Sequence, residues 1–119
     1  MEGIEVGLEG EKEFEVTEDM SPPHLPAKVL STPSMVGLIE GACLQLVQPL
    51  LGDQETTVGT HVNVSHSGPA MAGESVRIRA ILEQIDKRRL TFAITVTSPR
   101  GEISTGTHQR AVVDLTRFG

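Results

Sequence analysis

Apolar and polar residues alternate through most of the second half of the chain, and this period of two predicts β-strands. The alternating segments are residues 57–66, 74–85, 90–96 and 103–115. Turn-forming residues, Asp86-Lys87-Arg88 and Pro99-Arg100-Gly101, separate the last three segments and are typical of hairpins. A shorter alternation over residues 11–17 predicts one further strand near the start of the chain.

Alternate side chains of a strand point to opposite faces, so each segment has one face that is expected to meet the core. In residues 74–85, Arg77 and Arg79 are expected to point outward. The inward set there is Val76, Ile78, Ala80 and Leu82. The sets expected to share a face in the other strands are Val58, Thr60, Val62, Val64 and His66; Leu90, Phe92, Ile94 and Val96; and Ile103, Thr105, Thr107, Gln109, Ala111, Val113 and Leu115.

A nearly continuous apolar run after residue 33 predicts one long helix. Prolines exclude a helix in residues 20–33 and make that segment a stiff, extended loop. Ser34 is expected to cap the helix, with Thr32 just before it. Gly52-Asp53 is expected to stop it after about Leu51, and Pro49 is expected to tighten or kink its last turn. The apolar residues of the run are Met35, Val36, Leu38, Ile39, Ala42, Cys43, Leu46, Val47, Leu50 and Leu51, and a helix that is apolar all round is a buried helix.

The order of elements is strand, long apolar helix and four strands in a meander. A buried helix needs a surface that wraps it, and a curved antiparallel sheet provides one. This order matches the α+β hotdog fold, in which a curved antiparallel sheet wraps around a long central helix. A chain of 119 residues is the size of one domain, so residues 1–119 are expected to form a single hotdog domain.

Charge and composition narrow the possible partners. Residues 1–19 carry a net charge of −7 and the remainder carries +1, although the whole chain has −6. A nearly neutral body argues against a nucleic-acid-binding protein. No apolar run approaches the ~20 residues of a membrane span, and the acidic start does not resemble a signal peptide, so a cytoplasmic protein without a membrane partner is expected. The single cysteine, Cys43, excludes an internal disulfide and a multi-cysteine metal site.

Glu40 is the one acidic residue in the apolar helix. A buried carboxylate is costly unless it is paired, hydrogen-bonded or neutral. Gly37 and Gly41 leave room beside it, which suggests that a backbone or a ligand packs closely there. We interpret Glu40 as a catalytic carboxylate; a structural glutamate bonded to backbone amides, or one at a dimer seam, is the alternative.

His66 and Thr32 are the other candidates for chemistry. His66 is predicted to share the helix-facing side of its strand with Val62 and Val64, and so to point toward Glu40, which can orient an imidazole for general-base work. Its alternative is a structural histidine bonded to a carbonyl. Thr32 either caps the helix or acts as a nucleophile, with helix-start amides as oxyanion donors.

The remaining polar candidates are weaker. His24, His61 and His108 are expected to have no direct role. Arg110 is a single charge within the last strand, and it is either a surface strand residue or one with a role in the site. The basic residues at the predicted hairpin and on the strand before it either contact phosphates or form a solvated surface; they are Lys87, Arg88, Arg89, Arg77 and Arg79.

Three stretches of the chain place threonine, glutamate, histidine and arginine on separate elements. They are Thr32-Pro-Ser-Met-Val-Gly-Leu-Ile-Glu40-Gly-Ala-Cys43, Val58-Gly-Thr-His-Val-Asn-Val-Ser-His66 and Gly106-Thr-His-Gln-Arg110-Ala-Val-Val. In these stretches, from about position 29 to Phe118, the chain resembles the fluoroacetyl-CoA thioesterase family of hotdog proteins. The resemblance implies catalytic roles for Thr32, Glu40 and His66. It also implies contacts with the acyl group from Gly59 and Arg110, a homodimer with active sites at the subunit interface, and no metal or other cofactor.

One segment departs from that family. The fluoroacetyl-specific enzyme has a longer segment before its catalytic threonine, with phenylalanines that form a lid. Here the segment is short and proline-rich, and no phenylalanine lies between Phe14 and Phe92. The resemblance therefore implies hydrolysis of a small or short-chain acyl-CoA thioester by a homodimer or tetramer. It does not imply selectivity for a fluorinated acyl group.

Two other functions remain open from the sequence. A hotdog dimer can bind an acyl-CoA or another small apolar ligand without turning it over. A hydratase or dehydratase is less well supported, because His66 is flanked by Ser65 and Ser67 and no second carboxylate is spaced beside it.

Overall fold

A computed structural model describes residues 3–117 of the chain; residues 1, 2, 118 and 119 of the predicted domain lie outside the described part. The elements are β1 (Glu9–Glu15), α1 (Thr32–Val47), β2 (Glu55–Val64), β3 (Ser75–Asp86), β4 (Arg89–Ser98) and β5 (Gly101–Asp114), with short 3₁₀ turns at Glu18–Met20, Gln48–Leu50 and Leu115–Arg117. The five strands form one antiparallel sheet in the order β1-β3-β4-β5-β2. The predicted element order is confirmed.

The sheet curls around α1. The helix contacts β1 and β2, which lie at opposite edges of the sheet, as well as β3. A flat five-stranded sheet would be too wide for one helix to reach both edges, since neighbouring strands lie about 4.8 Å apart. The prediction of a curved antiparallel sheet around one long helix is therefore confirmed.

The core lies between the helix and the concave face of β3 and β4. The predicted inward residues of these strands are all almost fully buried: Val76, Ile78, Ala80, Leu82, Leu90, Phe92, Ile94 and Val96. They meet the buried face of the helix, formed by Met35, Ile39, Ala42, Cys43 and Val47. The period-two pattern was reliable here because these central strands are paired on both sides.

The N-cap of the helix lies three residues earlier than predicted. Ser31 is the N-cap, and its side-chain oxygen accepts a hydrogen bond of 3.2 Å from the amide of Ser34. The prediction that Ser34 caps the helix is wrong, because Pro33 fits the first turn, where no amide donor is needed. At the other end, Pro49 confirms its predicted effect: the α-helix ends at Val47, and Gln48–Leu50 form a tighter 3₁₀ turn.

The prediction that α1 is enclosed on all sides is wrong for a single chain. Gly37 and Gln45 are exposed, and the Glu40 side chain is 41% exposed. The helix has apolar residues on more of its surface than one concave sheet can cover. Part of the helix surface, including the side that bears Glu40, is therefore open in one chain.

A β-bulge in β2 reverses part of its predicted face. The pairing of β2 with β5 shifts between Gly59 and His61, so Thr60 has no partner in the register. Val62 lies on the helix-facing side, opposite the buried His108, as predicted. Before the bulge the alternation is displaced by one residue: Gly59 faces the helix, and Val58 lies on the outer side. The predicted inward placement of Val58 and Thr60 is wrong, because a bulge inserts one residue without changing the local composition.

The predicted face of β5 is the outer one, with one exception. The buried positions after the middle of the strand are His108, Arg110 and Val112. Ile103 is also buried, because the register against β4 shifts between Val96 and Thr97 and leaves Ile103 as the extra residue. The prediction that Ile103 shares a face with Thr105 is therefore wrong.

The acidic start of the chain forms an edge strand of the sheet. The β1 glutamates pair with the outward arginines of β3: Arg79 with Glu9 at 3.0 Å, and Arg77 with Glu11 and Glu13 at 3.8 and 3.9 Å. These exposed pairs contribute little to the free energy of unfolding. They leave β1 a charged edge, which discourages pairing with another chain.

Candidate active site

Thr32 and His66 meet at the start of the helix. The Thr32 hydroxyl oxygen Oγ1 lies 2.8 Å from His66 Nδ1, within hydrogen-bond distance. Thr32 is the first residue of α1, and His66 lies two residues beyond β2. The flanking amides of Ser65 and Ser67 donate to the Thr105 and Ile103 carbonyls, which continues the sheet pairing past the strand end. An imidazole held this way can accept the threonine proton.

Glu40 lies further along the helix, next to Arg110. Its Oε2 is 3.5 Å from Arg110 Nη1. Eight residues separate Thr32 from Glu40, which is about 12 Å along a helix axis. His66 is bonded at the helix start, so the predicted contact between Glu40 and His66 is not made within the described chain. Each residue has another partner, Arg110 for the carboxylate and Thr32 for the imidazole.

Arg110 is buried, which excludes the surface position that the sequence had left open as one of two alternatives. It is 5% exposed on the helix-facing side of β5. Its Nε donates to Thr57 Oγ1 at 2.7 Å, and its Nη2 donates to the Thr57 carbonyl at 3.0 Å. Burial lowers the pKa of Arg110, while Glu40 opposes this shift. The guanidinium remains a cation and provides a fixed positive charge beside the Glu40 carboxylate.

His108, for which no direct role was expected, is fully buried beside Arg110. Its Nε2 lies 3.1 Å from Arg110 Nη1, and its Nδ1 lies 2.8 Å from the His61 carbonyl oxygen. Sequence reasoning missed both His108 and Thr57. His108 lies two residues before Arg110, so the two share one face of their strand. This spacing alone does not predict burial, because the sequence does not show that this face is the inner one.

Gly59 provides the space in which Glu40 and Arg110 meet. A Cβ built at this position would overlap Glu40 Oε2 and would lie 3.3 Å from His108 and 3.4 Å from Arg110 Nη1. Any larger residue would therefore push the carboxylate away. The glycine that the resemblance placed near the acyl group is thus a neighbour of the Glu40–Arg110 pair.

Cys43 lies one helical turn from Glu40 and is fully buried. Burial raises the pKa of its thiol to about 12, although Arg110 opposes the shift. The thiolate is the reactive form of cysteine. Cys43 is therefore a small apolar residue of the core at neutral pH.

An apolar groove of about 310 Å³ opens beside Thr32 and His66. The loop before the helix supplies most of its walls, including Pro22, Leu25 and Val29. Pro33 and Leu30 add to this apolar lining, and His24 lies at its side. A small apolar group of a ligand can therefore lie against the Thr32 hydroxyl.

Three of the five basic residues at and before the β3–β4 hairpin are paired with glutamates. Of the five cations that the sequence left as either phosphate contacts or a solvated surface, Arg77 and Arg79 pair with β1 glutamates, and Arg88 pairs with Glu55 at 3.0 Å. Lys87 and Arg89 flank Arg88 at the β3–β4 hairpin.

Within residues 3–117, no group of three or more histidine, cysteine or acidic side chains is arranged to hold a metal ion. No helix in that range has the length and apolar character required to cross a membrane.

Known proteins share both the sequence pattern and the fold. The profile of the FlK family, fluoroacetyl-CoA-specific thioesterase, matches residues 12–116. The fluoroacetyl-CoA thioesterase of Streptantibioticus cattleyicolor is 36% identical over 91 residues, which cover 76% of this chain and 66% of that protein. The match thus spans slightly less than two thirds of that relative's length.

Solved structures agree with this match. The structure of the fluoroacetyl-CoA thioesterase FlK has a TM-score of 0.92 and 31% identity, covering 98% of this chain and 93% of that one. A thioesterase-superfamily member from Thermus thermophilus has a TM-score of 0.90 at 24% identity, covering 99% and 90%, and shares the fold. The hotdog fold is therefore confirmed, and so is the resemblance found in the sequence. The chain belongs to the fluoroacetyl-CoA-specific thioesterase family.

Proposed function

We propose that this protein hydrolyses a small or short-chain acyl-CoA thioester to the free acid and CoA. The observation that carries the proposal is the 2.8 Å contact between Thr32 Oγ1 and His66 Nδ1 at the mouth of an apolar groove. A hydroxyl beside an imidazole is the arrangement of an activated nucleophile or of a positioned general base. Membership in the thioesterase family supports the reaction class.

Two routes to hydrolysis fit this arrangement. In the covalent route, His66 accepts the Thr32 proton while Oγ1 attacks the thioester carbonyl. The carbon–sulfur bond then breaks, CoA leaves with the returned proton, and water hydrolyses the acyl-threonine. In the direct route, Glu40 or His66 takes a proton from the attacking water, the carbon–sulfur bond breaks, and CoA leaves with that proton. Across the two routes, the proposed catalytic residues are Thr32, Glu40 and His66.

Backbone amides at the helix start would stabilise the oxyanion that forms in either route. The Ser34 and Met35 amides already bind Ser31, and Pro33 has no amide hydrogen. The Thr32 amide is therefore our candidate at the helix start, and the backbone around Gly59 is the second. Arg110 would act through the Glu40 carboxylate that it contacts.

The groove favours a small apolar acyl group. Its walls are aliphatic and proline side chains, without the phenylalanines expected of a fluoroacyl lid. The relative from Streptantibioticus cattleyicolor acts on fluoroacetyl-CoA; for this chain we propose acyl-CoA hydrolysis without that selectivity. No cofactor enters the proposed mechanism.

The first test is thiol release from a series of acyl-CoAs, from acetyl to long-chain, with fluoroacetyl-CoA included. We expect release from the short members of the series, with no large preference for the fluorinated substrate over acetyl-CoA. Saturable binding of acyl-CoA without thiol release would contradict the proposal and establish the alternative, a hotdog protein that only binds its ligand.

We further propose that the active form is a homodimer with the active sites at the subunit interface. Strand β2 lies at one edge of the sheet and carries two valines, Val58 and Val62, that are each 38% exposed. The other edge, β1, carries exposed glutamates. An apolar edge strand is a template for pairing with a second chain, whereas a charged one is not. Glu40, open in one chain, lies beside β2.

Light scattering of the purified protein tests this assembly. We expect a mass of at least two 12.8 kDa chains. Val58→Lys, on the β2 edge, should shift the protein toward the monomer, whereas Val6→Lys, at a valine that is 61% exposed outside the strands, should not. A four-chain mass would indicate a tetramer with a second interface. A monomer at every concentration would contradict the proposal.

We also propose that the protein is a cytoplasmic enzyme without nucleic-acid or membrane partners.

A further inference from the structure

His108 is a buried titratable residue to which the proposed reaction assigns no role. It lies on the helix-facing side of β5, two residues before Arg110, and is 0% exposed. Both of its ring nitrogens are engaged, Nδ1 by the His61 carbonyl and Nε2 by Arg110. A buried imidazole with two fixed partners has its proton position determined by those partners.

The chemistry of the two partners fixes one tautomer. A carbonyl oxygen only accepts, so His108 Nδ1 must carry a proton and donate to His61. A guanidinium only donates, so His108 Nε2 must be unprotonated and accept from Arg110. We propose that His108, held neutral in its Nδ1–H form, is a positioning residue that fixes Arg110 and, through it, the Glu40 carboxylate. This inference rests on the proposed thioesterase function.

The hydrogen bonds of Arg110 explain why one more acceptor matters. Thr57 fixes the Nε and Nη2 side of the guanidinium. The remaining nitrogen, Nη1, lies 3.1 Å from His108 Nε2 and 3.5 Å from Glu40 Oε2. Because the guanidinium is planar, an acceptor at Nη1 sets the tilt of its plane. His108 therefore controls how Nη1 is presented to the carboxylate.

Protonation of His108 would reverse this arrangement. Nε2 would become a donor facing the Nη1 donor, and a second cation would lie beside Arg110. His108 and Arg110 lie together on β5. The other charged or titratable groups around this pair are Glu40 and Cys43 on α1, and His61 on β2. The register partner of His108 on β4 is the uncharged Phe92.

The pKa of His108 is lowered, first by burial and then by Arg110, although the bond to the His61 carbonyl opposes the shift. A histidine with a lowered pKa stays neutral at neutral pH and gains its proton only at more acidic pH. The positioning effect should therefore be present above the lowered pKa of His108 and be lost as the pH falls through it.

Nitrogen NMR of the His108 ring tests the tautomer in the intact protein, whether or not it is active. We expect Nδ1 protonated and Nε2 unprotonated at neutral pH, with a titration below that of an ordinary histidine. A predominant Nε2–H tautomer, or a charged ring at neutral pH, would overturn the proposal. This readout separates failure of the inference from failure of the proposed thioesterase activity.

Two variants test the consequence for catalysis. His108→Phe keeps a ring but removes the acceptor, and we expect kcat to fall on the order of 10²-fold, the scale of a displaced catalytic group, with KM little changed. His108→Gln restores an acceptor near Nε2; it should recover most of kcat and lose the acid-side fall that His108 protonation causes. Gln109→Ala, on the opposite face of β5, is the control.

Wild-type kcat in His108→Phe, or an acid limb of the pH profile that His108→Gln leaves unchanged, would contradict the positioning role. If His108→Phe does not fold, the glutamine variant and the NMR measurement still decide. A purely structural histidine would change stability in both variants without moving the pH profile.

Discussion

Glu40→Gln and His66→Ala should each lower turnover by at least about 10²-fold, the usual scale for loss of a general base. Glutamine keeps the shape of Glu40 but removes its negative charge, so it can neither take a proton nor form the ion pair with Arg110, whose Nη1 lies 3.5 Å from Glu40 Oε2. Alanine at position 66 removes the imidazole that lies 2.8 Å from Thr32 Oγ1. Both losses affect groups that the proposed reaction uses directly.

Thiol release and thermal unfolding should be measured on the same preparations. Glu40 is 41% exposed in one chain, and His66 lies outside the strands, so neither substitution removes a core side chain. Gln45→Ala, at an exposed position of the same helix, is the matched control and should be active. Near-native turnover in both Glu40→Gln and His66→Ala, with folding intact, would refute the catalytic assignment.

Gly106→Ala should cause the largest loss of stability of any single methyl addition in the sheet. A Cβ at this position would lie 2.7 Å from Val64 Cα and would overlap the Asn63 carbonyl oxygen, both of them backbone atoms of β2. Backbone atoms in a paired strand cannot rotate away as a side chain can. The φ of Gly106, 154°, adds strain for an L residue. We expect the free energy of unfolding to fall by about 3 kcal/mol.

Chemical denaturation of wild type and variant measures this effect. Gly73→Ala is the control, because Gly73 has a φ of 92° but nothing within 4 Å of its would-be Cβ. Gly73→Ala introduces backbone strain without steric overlap. We expect it to lower the free energy of unfolding by only about 1 kcal/mol. Equal effects in the two variants would contradict a tight β2–β5 approach. Because β2 leads into His66, a folded Gly106→Ala protein should also have lowered turnover.

Sequence patterning predicted most of the fold because its signals are local. Alternation in β3 and β4 marks side chains that the helix covers, and the continuous apolar run marks the helix. Pro49 acts through its own ring, so its effect on the last turn was also predictable. The same holds for Thr32, Glu40 and His66 as candidates, because each is a polar residue at an otherwise apolar or punctuated position.

Features that depend on register or on a second element were not predictable in this way. The bulge at Thr60 displaces the alternation in β2, and the extra residue Ile103 does the same in β5. Composition carries no mark of either shift. The helix cap was misassigned by three residues because Ser31 and Ser34 are equivalent as residue types, and only the chain path selects one of them.

The sequence by itself determined the order of the elements, the part of the core formed by the helix, β3 and β4, and the polar residues available for chemistry. Only the tertiary structure decided which of them meet. It buried Arg110 and His108, paired Arg110 with Glu40, and placed His66 against Thr32 instead of Glu40. The physical reason is that burial and pairing depend on how the sheet curls around the helix, and that curvature is set by contacts between residues far apart in the chain.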